Sequence, residues 1–358
     1  MGLNCGFSTE YIYQQNVGNE RLNNADMSWI GLGYGSVIYI VEILQPEYRG
    51  AFLSLTSVFE IFGSLVIYLV EYYLSAKIVS LLLSINSLFL LIAIFFMPET
   101  PYWYMLKKKK DEAIKSLYWL RNGNKKKIDF EIEEIEKNLD SVNKNVLTFM
   151  ETVFNIKWWN TFLLFSVYIM LIQLTGFDMI IPYAVQFFEK FNKTQIDNRI
   201  ISIIFMTIAF IGTIVTTFIV EKFKRTSLVK YSNLANVILL IISGMSMKYF
   251  HSSASSVLSL LCFCFYGTTV SIVAYGMPCT IISECLPTES RATIFSALGS
   301  EFTITYFIIV LIFPTVLVNI SIDYIIYLLA FFSLLNYIFV HCFIKETKGI
   351  ILPGNGNS

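Results

Sequence analysis

The sequence predicts an all-α membrane protein with about nine spans, and three observations predict it. Only 15% of the 358 residues are charged and 55% are hydrophobic, whereas a soluble domain carries about 25% charged residues. Mean hydropathy is +0.62. Apolar runs recur along most of the chain at the length a helix needs, about 20 residues, to cross about 30 Å of hydrocarbon. The charges gather between those runs, so the formal net charge of zero says nothing about partners; no nucleic-acid partner is expected. The lipid bilayer is the partner the composition does imply.

The runs fall at 29–45, 51–74, 77–97, 158–188, 200–220, 228–250, 256–283, 294–318 and 321–344. The fourth is too long for one straight span. Gly176 and Pro182 interrupt it, which predicts a broken helix of the kind that exposes backbone polar groups to a substrate cavity. One long polar segment, 98–157, separates the third and fourth runs. It holds nearly half of the chain's Lys and Arg, with acidic residues alternating with Ile128, Phe130, Ile132, Ile135 and Leu139. That pattern predicts short amphipathic helices, and the basic excess predicts a cytoplasmic location. Alternation from there puts the N-terminus outside and the C-terminus in the cytoplasm, in the plasma membrane. Met1 to Ser28 is polar and has no signal-peptide core. The sequons at Asn192 and Asn319 both fall in loops read as external; Asn192 is the glycosylation candidate.

Six cysteines (Cys5, Cys262, Cys264, Cys279, Cys285, Cys342) lie mostly in or beside apolar runs and read as small packing residues. With His251 and His341 far apart, no metal site and no cofactor are expected. No nucleophile–base pairing is legible, so no enzyme is expected.

The punctuation of the runs repeats. Glu42 precedes Arg49 and Gly50 by the same seven-residue step by which Glu284 precedes Arg291 and Ala292. Two runs after each pair, a Glu-Thr follows, at Glu99–Thr100 and at Glu346–Thr347. Parallel halves flanking a long cytoplasmic loop are the mark of the major facilitator architecture. A Glu at a cytoplasmic helix end and an Arg beyond it are expected to pair across the corner and to loosen when that side opens. Gly50 is expected to supply the tight turn. The domain plan is then an external segment 1–28, a partial first bundle 29–97, a cytoplasmic loop 98–157, a six-helix bundle 158–345 and a tail 346–358. The second half has six spans; the first has three, so about nine of twelve helices are present and the N-terminal bundle is incomplete.

Five stretches together resemble the sugar porter family of the major facilitator superfamily, in particular its insect facilitated trehalose transporter-like members: Tyr39 to Gly50, Pro98 to Tyr104, Gln173 to Gly176, Glu284 to Arg291, and Glu346 to Gly349. The resemblance runs from Trp29 to near the end of the chain. It makes Ala25 to Gly31 similar to the start of the family's second helix and Gly33 to Gly35 similar to the start of its fourth, with the helices between them missing. The family's Asp-Arg-x-Gly-Arg-Arg turn reads Glu221-Lys222-Phe223-Lys224-Arg225-Thr226 here, with charge kept in part and the glycine lost.

The resemblance also implies a site. Sugars present many hydroxyls, so their sites need amides, carboxylates and aromatic faces on helices around a wet cavity. The family's Gln-Gln-Leu-Ser-Gly-x-Asn on helix 7 reads Ile172, Gln173, Leu174, Thr175, Gly176, Phe177, Asp178. Its helix 10 Trp is Cys279, its helix 11 Asn-Trp pair is Phe302-Thr303 after Glu301, and its helix 5 Gln is Ser57, with Glu60 one turn on. The substrate-binding candidates are therefore Gln173, Thr175, Asp178, Tyr183 and Glu301, with Tyr275 as a further ring. The motif and gating candidates are Glu42, Arg49, Gly50, Glu99, Glu221, Arg225, Glu284, Arg291 and Glu346. A charge at mid-bilayer costs about 2.5–3.5 kcal/mol and marks a substrate or proton path when it faces a cavity. The resemblance implies a facilitative, alternating-access transporter of a hexose or trehalose-like sugar. Two alternatives stand beside it: a proton-coupled porter of another small solute, and a truncated, non-transporting protein that associates with a full-length relative.

Overall fold

A computed structural model describes residue 43, residues 46–121, 125, 128–133, 135–136, 156–219, 222–249, 253–286 and 291–346. The first apolar run, Glu42 and Glu221 lie outside the described residues, apart from position 43. Helix covers each of the other eight runs.

Helix α1 spans Pro46–Tyr73 and α2 spans Ala76–Phe95. The polar segment follows as α3, Pro101–Leu106, and α4, Lys110–Leu120. The fourth run is broken into α5 (Ile156–Leu174), a four-residue turn α6 (Phe177–Ile180), a 3-10 turn Ile181–Tyr183 and α7 (Ala184–Phe191). Then come α8 (Asn198–Ile219), α9 (Arg225–Tyr249), α10 (Ser253–Ser271), a π-helical turn Ile272–Gly276, α11 (Pro278–Cys285), α12 (Arg291–Asn319) and α13 (Ile322–Phe343). Among the described residues six helices are long and apolar enough to cross a membrane, or seven with the bent pair. This is a multi-pass membrane protein.

Helix α1 corrects one expectation. Gly50 is its fifth residue and is helical, so it makes no turn. Pro46 opens the helix, where its fixed φ suits the first turn and its missing N–H costs nothing. The helix therefore begins five residues ahead of the apolar run and takes Arg49 and Gly50 into it. In the second half Glu284 lies in the last turn of α11 and Arg291 opens α12.

Lipid gives no hydrophobic drive between helices, so close backbone approach and polar contacts hold the bundle. Helix α9 packs along α13 and α10, α8 along α10 and α1, and α5 along α12 and α13. Gly212 lets α8 approach α10: a Cβ there would stand 2.6 Å from Thr268 Cγ2 and 3.0 Å from Thr268 Cα. Ser243 and Ser259 join α9 to α10 with hydroxyls 3.0 Å apart, and Ser246 donates to the Ser255 carbonyl at 2.7 Å. Phe187, Phe188 and Phe191 seal α7 against Phe205 and Phe263, with ring centroids 4.9–5.9 Å apart where they face Phe263. Ile61, Leu65 and Tyr68 of α1 enter the same buried cluster. Outward faces stay apolar, as at Leu311 and Phe89.

The described part of the polar segment contains the short helices α3 and α4. Ile128 and Ile132 bury against Ala113 and Leu117, while Phe130 stays exposed. Arg121 pairs with Glu131 at 2.8 Å and donates to the Ile43 carbonyl at 3.0 Å. That contact ties the segment to the first apolar run.

Candidate functional site: a polar seam beside a broken helix

The break between α5 and α7 builds the site. Gly176 sits at φ +104°, in the left-handed region open to glycine without strain. A Cβ there would collide with the Leu329 side chain. The half-helices bend by 45°. A break frees carbonyls that water would satisfy in a soluble protein but lipid cannot. Tyr266 meets one, donating its hydroxyl to the Thr175 carbonyl at 2.5 Å. Tyr68 meets another, donating to the Ile181 carbonyl at 2.5 Å. Pro182 lies inside the 3-10 turn, where its lack of an N–H fits the interrupted ladder.

Gln173 is 1% exposed, at the last turn before the break. Its Nε2 donates to the Phe302 carbonyl of α12 at 2.9 Å, and its Oε1 is buried with no partner among the described residues. One residue away on α12, Glu301 accepts from the Ser166 hydroxyl of α5 through Oε1 at 2.6 Å. Its Oε2 is also buried and without a partner among the described residues. Ser166 and Gln173 are seven residues apart, so about two turns of α5 present both to α12 on one face. Two acceptor oxygens thus lie along one α5–α12 seam with no donor among the described residues, although buried polar atoms are normally satisfied.

Asp178 lies just past the break and is 6% exposed. Tyr275, in the π-helical turn, donates its hydroxyl to Asp178 Oδ1 at 2.7 Å. The carbonyl of Tyr275 in turn accepts from Ser57 of α1 at 2.9 Å. Pro278 explains the wide turn, because its ring displaces the carbonyl four residues back. Glu60 of α1 lies within electrostatic reach of Asp178. Three ion pairs, Lys109–Glu112, Lys110–Glu136 and Arg121–Glu131, lie in the polar segment. None reaches these carboxylates.

The other candidates are placed differently. Thr175 turns its hydroxyl back onto the Ile172 carbonyl of its own helix, 2.5 Å away, and is fully buried. Tyr183 donates to the Val310 carbonyl at 2.9 Å and tilts its ring against Phe313, bracing α12. Asn192 shapes the loop 192–197: its amide donates to Ile196 O and Asn198 Oδ1, and its Oδ1 accepts from Thr194. Glu99 is exposed. Beside it Thr100 caps α3 by accepting the Trp103 N–H at 3.1 Å, with Pro101 at the first position.

Glu346 has a specific task. Its carboxylate accepts the Arg225 N–H at 3.0 Å, the Thr226 N–H at 3.2 Å and the Thr226 hydroxyl. It caps the N-terminus of α9 from the far end of α13, where free N–H groups and the helix dipole favour an anion. Arg225 and Glu346 thus meet, though through backbone rather than guanidinium in these contacts.

Comparison with known proteins now decides the family. A family model described as "Sugar (and other) transporter" matches residues 29–353. The chain belongs to the sugar transporter family. The facilitated trehalose transporter Tret1 of Bombyx mori is 29% identical over 321 residues, covering 87% of this chain and 62% of that relative. The Tret1 of Culex quinquefasciatus is 26% identical, covering 90% of this chain and 64% of the relative. The glucose transporter GlcP of Staphylococcus epidermidis is 26% identical, covering 89% and 72%. This family member therefore spans less than two thirds of the length of those trehalose transporters. Among solved structures, the proton:xylose symporter XylE bound to 6-bromo-6-deoxy-D-glucose aligns with TM-score 0.73 at 20% identity, over 89% of this chain and 69% of that one. The chain shares the fold of that major facilitator superfamily protein.

Reading the sequence alone missed Ser166, whose signal was its spacing of seven from Gln173 on a helix. It gave Tyr275 only a ring to stack, and not the hydrogen bond to Asp178, because one tyrosine in a chain with 21 carries no mark of its own.

Proposed function

We propose that the protein is a transmembrane sugar transporter of the facilitative, alternating-access type, taking a hexose or a trehalose-like sugar. The observation that carries the reading is the α5–α12 seam, where Gln173 and Glu301 hold two buried acceptor oxygens beside a helix break. A sugar hydroxyl donates to such oxygens, and the break supplies the point about which α7 moves relative to α5. Membership of the family and the printed functions of the similar trehalose and glucose transporters support the same substrate class.

In this reading residues 98–157 face the cytoplasm with the C-terminal tail, the N-terminus lies outside, and the membrane is the plasma membrane. Residues 158–345 form one six-helix bundle and 29–97 contribute to the other. Glu346, closing the end of α9, belongs to the cytoplasmic corner, with Arg49, Glu284 and Arg291 at neighbouring helix ends and Glu42 and Glu221 as its further members. Asn192 then lies in an external loop.

The test is counterflow in proteoliposomes holding the purified chain, with labelled glucose and trehalose. Saturable exchange is expected, reduced about tenfold or more in Gln173→Ala, the loss typical of a hydrogen bond removed at a buried site. A well-inserted wild-type chain with no exchange of either sugar would reject the reading in favour of a non-transporting protein that associates with a full-length relative.

A further inference from the structure

The acceptors in this site are carboxylates as well as amides, and among the described residues no lysine or arginine is hydrogen-bonded to Glu301 or Asp178. Glu301 stands on α12 with one oxygen held by Ser166 and the other buried and unpartnered among the described residues. Gln173, 1% exposed, adds a second unpartnered acceptor on the facing helix. Asp178 is buried and accepts from the neutral Tyr275 hydroxyl, its one hydrogen-bond partner among the described residues, and Glu60 adds a carboxyl within its electrostatic reach. The described stretches of α5, α10 and α12 contain Lys157 and Arg291, both at helix ends, and no other Lys or Arg.

A buried carboxylate without a cation is strongly disfavoured; it takes up a proton or waits for a positive ligand. A neutral hexose satisfies the oxygens but leaves the charge uncompensated. An ammonium group does both, through short charge-assisted hydrogen bonds. Ser166, which holds Glu301, and Gln173 stand about two turns apart along α5.

We propose that this seam selects an amino sugar in its ammonium form over the neutral hexose, with the ammonium at Glu301 and the ring hydroxyls toward Gln173. The proposal rests on the transport reading and names its substrate class more narrowly.

The test measures exchange of labelled D-glucosamine and D-glucose by the purified full chain in proteoliposomes, at a pH where the amine is protonated. The kcat/KM for glucosamine is expected to exceed that for glucose about tenfold, the factor one charge-assisted hydrogen bond supplies. In Glu301→Gln the ratio is expected to fall close to one. Equal rates for the two sugars in the wild type overturn the proposal and leave the transport reading intact, as does a ratio unchanged by Glu301→Gln. Glucose uptake driven by a proton gradient and uncoupled by Glu301→Gln also overturns it, because the carboxyl then takes a proton. If neither sugar exchanges, the transport reading fails separately. Thermal stabilisation of the wild type by glucosamine but not by glucose then supports the subsite, and equal or absent stabilisation overturns it. That measurement on the wild type decides even if Glu301→Gln does not fold.

Discussion

Gly176 shows how much of this site a single residue sets. Its φ of +104° and its closeness to Leu329 are separate constraints. Gly176→Ala violates both, and is expected to destabilise the protein by about 1–3 kcal/mol. Adding Leu329→Ala should recover the steric share and leave the backbone strain, so the double variant should unfold between the wild type and Gly176→Ala in a detergent thermal melt. This break was legible in the sequence, because a glycine and a proline inside an overlong apolar run leave few other readings. Gln173 was legible through its motif. The orientations of Thr175 and Tyr183 were not: whether a hydroxyl faces its own helix, a neighbour's carbonyl or a cavity depends on rotamer and packing, which spacing does not fix. Gly50 misled for a related reason. Glycine after an arginine and just ahead of an apolar run reads as a turn, but a proline four residues earlier had already started the helix.

At the scale of elements, two kinds of contact hold the helices, and they differ in strength. The close approach of α8 and α10 at Gly212 leaves no room for a methyl group. Gly212→Ala is expected to cost about 1–3 kcal/mol through overpacking. Ser243→Ala, which removes one hydroxyl between α9 and α10, is expected to cost about 0.6 kcal/mol, the typical size of an interhelical hydrogen bond in a membrane. Unfolding both variants in the same micelles and ranking their midpoints checks this order. The cap on α9 is a third kind. Glu346→Gln keeps the shape and removes the charge facing the helix N-terminus, with an expected loss of about 1 kcal/mol that shrinks as salt is raised. A loss that salt does not change would mean shape, rather than charge, makes the cap. The spans were readable one by one because apolar length alone sets them. This cap was not, because it joins positions 120 residues apart and no local pattern records such a pairing.

For the whole molecule, the claim is that the α5–α12 seam is the place a solute reaches from each side of the membrane in turn. A broken helix, tyrosines on two of its freed carbonyls and acceptors without a donor among the described residues belong together under that claim. A static bundle gains nothing from buried oxygens that lack donors. The apolar runs beyond the first and the polar segment between them were legible in the sequence; the seam itself came from bringing together Ser166, Gln173 and Glu301, 135 residues apart at the widest. The most direct measurement places a cysteine at position 166, with the native cysteines replaced, and labels it with a membrane-impermeant maleimide added to one side of sealed vesicles at a time. The account predicts slow labelling from both sides and protection from both by the transported sugar. Labelling from one side only, with sugar having no effect, would contradict it.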